Sequence, residues 1–257
     1  MQTRFTNKIH RKILFQLIFP LISGFIVISE NLVNIVKEFK TRNAQFVKIP
    51  ILIDDECLKN VQIYDRFESP FIFHAGTLTE EKDGILIVFE AFSIVTTTTH
   101  PNLRLILSNY TTLPKVKENI QRIIEHYGVR EKVKFHSHLN QIDLFEYYRK
   151  CSMVIINKPD NFRNKYNFST KLGECMNFAI PIIATDVGDS SIYLKNNHNV
   201  LIIEDSYSSN EVANHIRKIM DNPKQSELLG INAFSTAQDS FNYSLHSDKL
   251  SSFFQNL

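Results

Sequence analysis

The sequence predicts an α/β fold built on an open parallel sheet. Short apolar runs of strand length recur along the chain, and stretches with helical spacing of apolar residues lie between them. Strand then helix, repeated, requires crossover connections, and crossover helices join parallel strands. Composition fits this reading. With 257 residues, 43% hydrophobic and 22% charged, the chain is an ordinary soluble globular sequence. It is long enough for one large domain or for one and a half smaller ones.

The N-terminal stretch is read first. Residues 13–29, "ILFQLIFPLISGFIVIS", carry no charge but reach only the short limit of a membrane span. Pro20 and Gly24 divide them, so the pattern reads as a helix over about residues 4–19 and a buried strand over 24–29. Arg4, Lys8, Arg11 and Lys12 beside Ile9, Ile13 and Phe15 make that helix basic and amphipathic. Such a helix either lies on an anionic membrane surface or packs on a sheet like any other. A signal peptide is disfavoured, because no small-residue cleavage site follows before Glu30. A helix is expected over 30–40 and a strand over 46–51, "FVKIPI". Further strands are expected at 71–76, 103–107, 132–136, 153–157, 180–185 and 200–203. Helices are expected at 83–95, 114–127, 141–150, 169–178, 189–195 and 208–220.

Charge and cysteine usage exclude some functions. A formal net charge of +2 gives no global basic field, so nucleic acid is not an expected partner. Cys57, Cys151 and Cys175 are scattered with no CxxC pair. That argues against a disulfide framework or a zinc site and suits a reducing cytosol. Neither an internal repeat nor a low-complexity tract is evident, and no Asp-x-Asp pair suited to a metal lies in a suitable loop.

In open α/β sheets, ligands bind beyond the C-terminal ends of the strands. Three such places stand out. After "FIFHAG", Gly76 ends the strand and Lys82 precedes a helix expected near Asp83. A lysine beside a glycine turn and a helix N-terminus makes a phosphate site, or it is one of many surface lysines. After "KVKFH", Ser137 to Leu139 form a loop, and Asn140 or Gln141 caps the next helix. After "MVIIN", a polar loop leads into "FSTKLGECM", where Ser169 or Thr170 caps a helix and Glu174 sits about one turn inside. Glu174 lies among Leu172, Cys175 and Met176, and a carboxylate in apolar surroundings needs a partner. It either serves a ligand or reaches solvent near the positive end of the helix dipole.

Together these residues resemble the donor-binding half of the family 4 (group 1) glycosyltransferases, which have the two-domain, Rossmann-like GT-B architecture. The family's glycine–x–leucine turn, its lysine–x–glycine and an apolar helix ending in "AF" correspond to Gly76, Leu78, Lys82, Gly84 and "EAF" at 90–92. "NLRLIL", the helix at 114–127, "VKFHS" and "IDLFEYY" follow in the family's order. The strongest match is "FSTKLGECMNFAIPIIATDVGD", which is similar to "KL.E.(L/M)A.G.P(V/I)(I/V)AT..G", and "NVLIIED" matches the strand before the last helices. Upstream, Ser29 and Glu30 with "IPILID" look like the end of the acceptor-binding domain.

The resemblance implies a Rossmann-like parallel sheet with flanking helices, the C-terminal half of a GT-B fold, plus a partial N-terminal Rossmann domain. Residues 1–69 would be the remnant of the acceptor-binding domain and linker, 70–236 the donor domain and 237–257 a C-terminal helix. About 100–150 residues of the first domain would be absent from this chain. The implied reaction is transfer of a sugar from a nucleotide sugar to a glycan or lipid-linked acceptor, with retention and no cofactor or metal. The implied setting is cytoplasmic or membrane-peripheral, with the missing domain or a partner chain as companion. The donor-binding set carried over is Gly76, Thr77, Lys82, Ser137, Leu139, Ser169, Thr170, Lys171, Leu172 and Glu174. In it Glu174 accepts the ribose hydroxyls, Lys82 neutralises the diphosphate, the N–H groups of residues 169–172 hold its far phosphate, and the loop at 137–139 borders the base.

Departures from the family pattern stand beside this. The earlier glutamate of many members is Tyr166, the arginine of the glycine turn is Thr77, "LILSNY" has Ser108–Asn109 where a glycine is usual, and the "v.f.G" glycine is Ser137. Two other readings follow from what is missing: a non-catalytic nucleotide-binding remnant or subunit, and a sugar-nucleotide epimerase on the same scaffold.

Overall fold

The structure is a computed structural model that describes residues 13–39, 44–54, 65–76, 78–110, 112–137 and 139–257. The expected basic segment at 4–12 and position 77 lie outside them. Helical turns over Leu14–Ile18 and Phe19–Leu21 lead into β1 (Gly24–Val27), α1 (Glu30–Phe39) and β2 (Gln45–Lys48). The larger part follows as β3 (Phe71–His74), α2 (Glu80–Asp83), α3 (Ile85–Thr98), β4 (Arg104–Leu107), α4 (Pro114–Tyr127), β5 (Val133–Phe135), α5 (Gln141–Lys150) and β6 (Val154–Ile156). It continues as α6 (Phe162–Tyr166), α7 (Thr170–Asn177), β7 (Ile182–Thr185), β8 (Leu201–Ile203), α8 (Ser209–Asp221), α9 (Pro223–Phe241) and α10 (Ser247–Gln255).

All strand pairs are parallel. Two triplets, β3-β4-β5 and β6-β7-β8, meet where Ile72 bridges Met153. There Phe73 N–H donates to the Met153 carbonyl at 3.2 Å and Ser152 N–H to that of Phe71 at 3.0 Å. The spatial order is therefore β5-β4-β3-β6-β7-β8, the doubly wound arrangement whose direction reverses between β3 and β6. Successive strand residues face opposite sides. Ile72, Leu105, Leu107, Ile155 and Ile183 pack with α3, α4 and α8. Phe73, Val154, Ile156, Ile182 and Ala184 pack with α7 and α9. Burial on both faces is why β3, β6 and β7 read as unbroken apolar runs.

β1 and β2 form a separate parallel pair. The expected strand 24–29 thus has one sheet neighbour, and Val33 and Val36 of α1 cover it with Val27. The expected C-terminal helix over 237–257 is instead the end of α9, a 3-10 turn over Tyr243–His246, and α10. α10 returns to the small unit: Phe253 packs with Val47 and Ile49. Leu17, Leu21 and Ile26 remain 64%, 85% and 49% exposed, so this unit presents apolar side chains to solvent. Among the described residues no helix is long and apolar enough to cross a membrane.

The helix expected at 83–95 is split in two by Gly84. Its φ of 48° is left-handed, and a Cβ there would come within 2.5 Å of Asn157 Nδ2, so only glycine serves. A second left-handed residue is Ala179, φ 50°, at the glycine of the "A.G.P" pattern. Its carbonyl accepts from Arg66 Nη1 at 2.7 Å and lies where a Cβ on Gly230 of α9 would come within 2.2 Å. Left-handed backbone costs a non-glycine residue roughly 1–2 kcal/mol, and glycine gives back about 0.5–1 kcal/mol in unfolded-state entropy. Ala179→Gly should therefore raise stability by about 0.5–1 kcal/mol, read as a higher urea midpoint at unchanged slope. A lower midpoint would refute the strain.

Candidate functional site

The reversal between β3 and β6 opens a crevice at their C-terminal ends. Three segments line it: the turn after β3, the segment after β6 and the start of α7. Gly76 takes φ 102°, and its N–H donates to Ser108 Oγ at 2.8 Å, tying the turn to the end of β4. Ser108 stands where the family pattern usually has glycine, so that departure carries a contact of its own. Lys171 Nζ sits 3.4 Å from where a Cβ on Gly76 would be and pairs with Asp83 Oδ1 at 3.2 Å. Lys171 is in the donor-binding set that the resemblance carried over. It turns inward, across the turn.

Asp83 is buried and also accepts from Thr79 Oγ1 at 3.0 Å. Burial works to raise its carboxyl, but the Lys171 charge, the nearby His74 and the two hydrogen bonds outweigh it and hold it below 3.8. Lys82, the predicted phosphate lysine, lies inside α2 and is half-buried.

Across the crevice is a residue the sequence reading passed over. Lys158 directly follows β6 and is only 5% exposed. Its N–H donates to Thr185 Oγ1 at 2.8 Å. The preceding Asn157 donates through Nδ2 to the carbonyls of Ser206 at 2.9 Å and Gly84 at 3.3 Å. Burial lowers the Lys158 ammonium to about 8; Asp83 opposes the shift, while Lys171, Lys82 and Arg163 add to it. The sequence signal available was a lysine immediately after an apolar strand, in "VIINKP".

α7 supplies the third wall. Ser169 occupies the N-cap position, but its side chain accepts no capping bond, contrary to the expected cap. Thr170 is exposed, while Ser169 and Leu172 are buried. Glu174 is half-buried and accepts from the buried Tyr148 Oη at 3.3 Å. Burial raises its carboxyl above 4.5, outweighing the Tyr148 bond and the Lys171 charge. One anchored oxygen on a partly open carboxylate leaves acceptor capacity toward the crevice.

Ser137 and Leu139 lie at the end of β5, with β4 between them and β3. Ser137 is exposed and Leu139 half-buried, and Asn140 caps α5 by accepting from Asp143 N–H at 2.9 Å. The structure thus brings Lys171 to Gly76 and Asp83, and Leu139 packs against the cluster that holds Ala75, Tyr148 and Leu172. Open hollows of about 520 and 570 Å³ lie around Arg104 and Lys132 at the other edge of the sheet. The charged chemistry, not the hollow volume, marks the crevice.

The pattern of the group 1 glycosyl transferases matches residues 61–236 of the chain, more than half of it. The chain belongs to the group 1 glycosyltransferase family. Its fold is that of GT-B glycosyltransferases. Sucrose-phosphate synthase from Thermosynechococcus elongatus matches with TM-score 0.70 at 18% identity, over 90% of this chain and 57% of that one. Anabaena HepE in complex with UDP matches with TM-score 0.75 at 17% identity, over 91% and 64%. A mutant of TarM from S. aureus, in complex with fondaparinux, α-GlcNAc-glycerol and UDP, matches with TM-score 0.76 at 18% identity, over 96% and 46%. The chain spans about half to two thirds of these structures. No curated protein matches it by sequence.

The buried lysine gives a pH test. A lysine whose folded pKa is lowered binds fewer protons folded than unfolded between the two pKa values, so its stability penalty is full below the folded value and fades above it. Lys158→Met should therefore stabilise the free protein most below about pH 8, and the gain should shrink between about 8 and 10.5. Urea melts of both proteins at matched pH check this; a gain independent of pH would mean that Lys158 titrates normally.

Proposed function

We propose that this chain is the donor-binding half of a nucleotide-sugar-dependent glycosyltransferase that transfers a sugar to a glycan or lipid-linked acceptor. The observation that carries the reading is Glu174: a half-buried carboxylate one turn into α7, held by Tyr148 and within reach of the charge of Lys171, which itself lies against the Gly76 turn. Two ribose hydroxyls donated to its open oxygen and edge would complete its hydrogen bonding. Lys82 and Lys171 would neutralise the diphosphate, and the uncapped N–H groups at the start of α7 would hold a phosphate oxygen. Two of the similar structures contain UDP, which supports a nucleoside diphosphate as the recognised part of the donor. The base would lie toward Ser137 and Leu139. Retention of configuration is the outcome the family implies, and no cofactor or metal is invoked. The epimerase reading finds no support in these matches.

Transfer needs the acceptor and a second wall for the cleft. The chain spans only part of its structural relatives, so that wall would come from a domain or partner chain beyond these residues, docked against the exposed apolar surface around Leu21 and Ile26. We place the reaction in the cytoplasm or at a membrane surface.

Glu174→Ala should leave the fold intact and weaken binding of UDP, GDP or ADP, whichever binds, by about tenfold or more, since hydrogen bonds to a charged acceptor contribute roughly 1.5–3 kcal/mol. Lys82→Ala should weaken the diphosphate far more than the free nucleoside, with an effect that shrinks in high salt. Calorimetric titration decides both. Equal binding by the Glu174 variant and wild type would remove Glu174 from the ribose site.

Sugar transfer provides a separate test. Purified 1–257 with labelled nucleotide sugars and acceptor extracts should show no meaningful turnover, and an acceptor-binding domain added as a fusion or partner should restore it. Robust turnover by the chain alone would show that the second wall is not needed.

A further inference from the structure

Building on the donor reading, we propose that Lys158 is itself a phosphate ligand, a cation held in the floor of the crevice for a polyanion. The turn after β3 carries no cation of its own, running Gly76, Thr77, Leu78. Positive charge must reach that turn from elsewhere, and Lys171, 3.4 Å from where a Cβ on Gly76 would be, brings it with Lys158 close by. Lys171 crosses to it from α7. Lys158 comes from β6, on the opposite side of the sheet reversal.

Its stem is fixed. Thr185 holds its N–H, and Asn157 beside it is anchored to Gly84 and Ser206. Its ammonium, in contrast, has no hydrogen-bond or ion-pair partner among the described residues, although the residue is 95% removed from solvent. A buried lysine is ordinarily paired, because an uncompensated ammonium in a dry site costs several kcal/mol. The one buried carboxylate nearby, Asp83, is already engaged by Lys171 and Thr79. Lys82, Lys171 and Arg163 all repel the Lys158 charge. Around Lys158, three cations therefore stand against the one carboxylate, Asp83, that acts on its charge. A preorganised excess of cations lowers the cost of binding a multiply charged anion, because little reorganises when the anion enters. A diphosphate, with charge on both phosphates, fits this better than a single carboxylate does.

The test uses the full chain, with Lys158→Met to keep the stem volume and remove the charge. Calorimetry reads UDP, GDP and ADP, their nucleosides and inorganic pyrophosphate; thermal melts read the ligand-free proteins. The expected result is that Lys158→Met loses about tenfold or more in affinity for pyrophosphate and for the nucleotide that binds. Nucleoside affinity should be unchanged, and the ligand-free melting temperature should equal or exceed that of wild type. Wild-type affinity for the diphosphate in the variant would overturn the role of Lys158 and leave the donor reading standing. So would an equal loss for nucleoside and diphosphate, or a lowered melting temperature, either of which marks a structural role. If wild type binds no nucleotide, the donor reading falls. In that case pyrophosphate binding lost in Lys158→Met still supports the anion site, and absent pyrophosphate binding overturns it.

Discussion

The junction between β3 and β6 is the constraint on which the rest depends. Only a few backbone hydrogen bonds join the two sheet halves: Phe73 to Met153 and Ser152 to Phe71. Ser152 adds its side chain, accepting from Phe71 N–H at 3.1 Å and donating to the Arg66 carbonyl. Arg66 extends the seam, reaching the carbonyls of Arg149, Phe178 and Ala179 with all three guanidinium nitrogens. This ties the entry to β3, the end of α5 and the end of α7 together at the base of the sheet. Chain direction fixes the consequence at the other end. With the bases of β3 and β6 adjacent, their outgoing segments must diverge, and the crevice is the gap they leave.

Electrostatics in that gap runs against stability. Lys158 is buried without a carboxylate of its own, and Glu174 is held where burial disfavours its charge. A sequence selected for stability alone would place apolar residues at both positions. Sites whose local arrangement conflicts with folding are where function is expected, since the missing partner arrives with the ligand. Asp83 shows the contrast: its charge is matched by Lys171 and its second oxygen by Thr79, so it is a finished ion pair that orients Lys171 and does not wait for a ligand.

What was legible in the sequence follows from what each signal measures. β3, β6 and β7 read clearly because both their faces are buried. Helices 114–127 and 141–150 read to the residue because α4 has a clean apolar stripe and α5 a side-chain cap. The break at Gly84 was hidden, since apolar spacing is blind to a left-handed residue required by Asn157. α9 went unread for a related reason. Its buried face includes Ser226, Gly230, Ala233 and Ala237, small residues that allow close approach to the Ala179 turn but give no hydrophobic period. Gly76, Lys82, Lys171 and Glu174 stood out in the sequence because a family pattern orders them. Lys158 and Asp83 did not, because their significance lies in being brought together from strands that are remote in sequence.

The small β1–α1–β2 unit is held by the larger sheet in a way that limits how the cleft can move. It connects through residues 49–54 on one side and returns through α10 on the other. These two paths run side by side, with Ile53 N–H donating to the Phe241 carbonyl at 2.9 Å and Tyr243 N–H to that of Ile53 at 3.2 Å. α10 then seals onto β2, with Lys249 Nζ on the Lys48 carbonyl at 2.9 Å and Gln45 Nε2 on that of Asn256 at 2.6 Å. The unit and α10 are therefore bonded together, and the paired segments at Ile53 and Asn242 join them to the larger sheet. On the cleft side the N-terminus of α1 is pinned, with Glu30 N–H on Asp189 Oδ2 at 2.6 Å and Asn31 Nδ2 on the Lys165 carbonyl at 2.9 Å. Separating α1 from these segments would break both bonds. Lys165 and Asp189 flank the segments that lead into and out of α7, the helix that carries Glu174. The small unit is thereby bonded to the segments around the wall of the crevice.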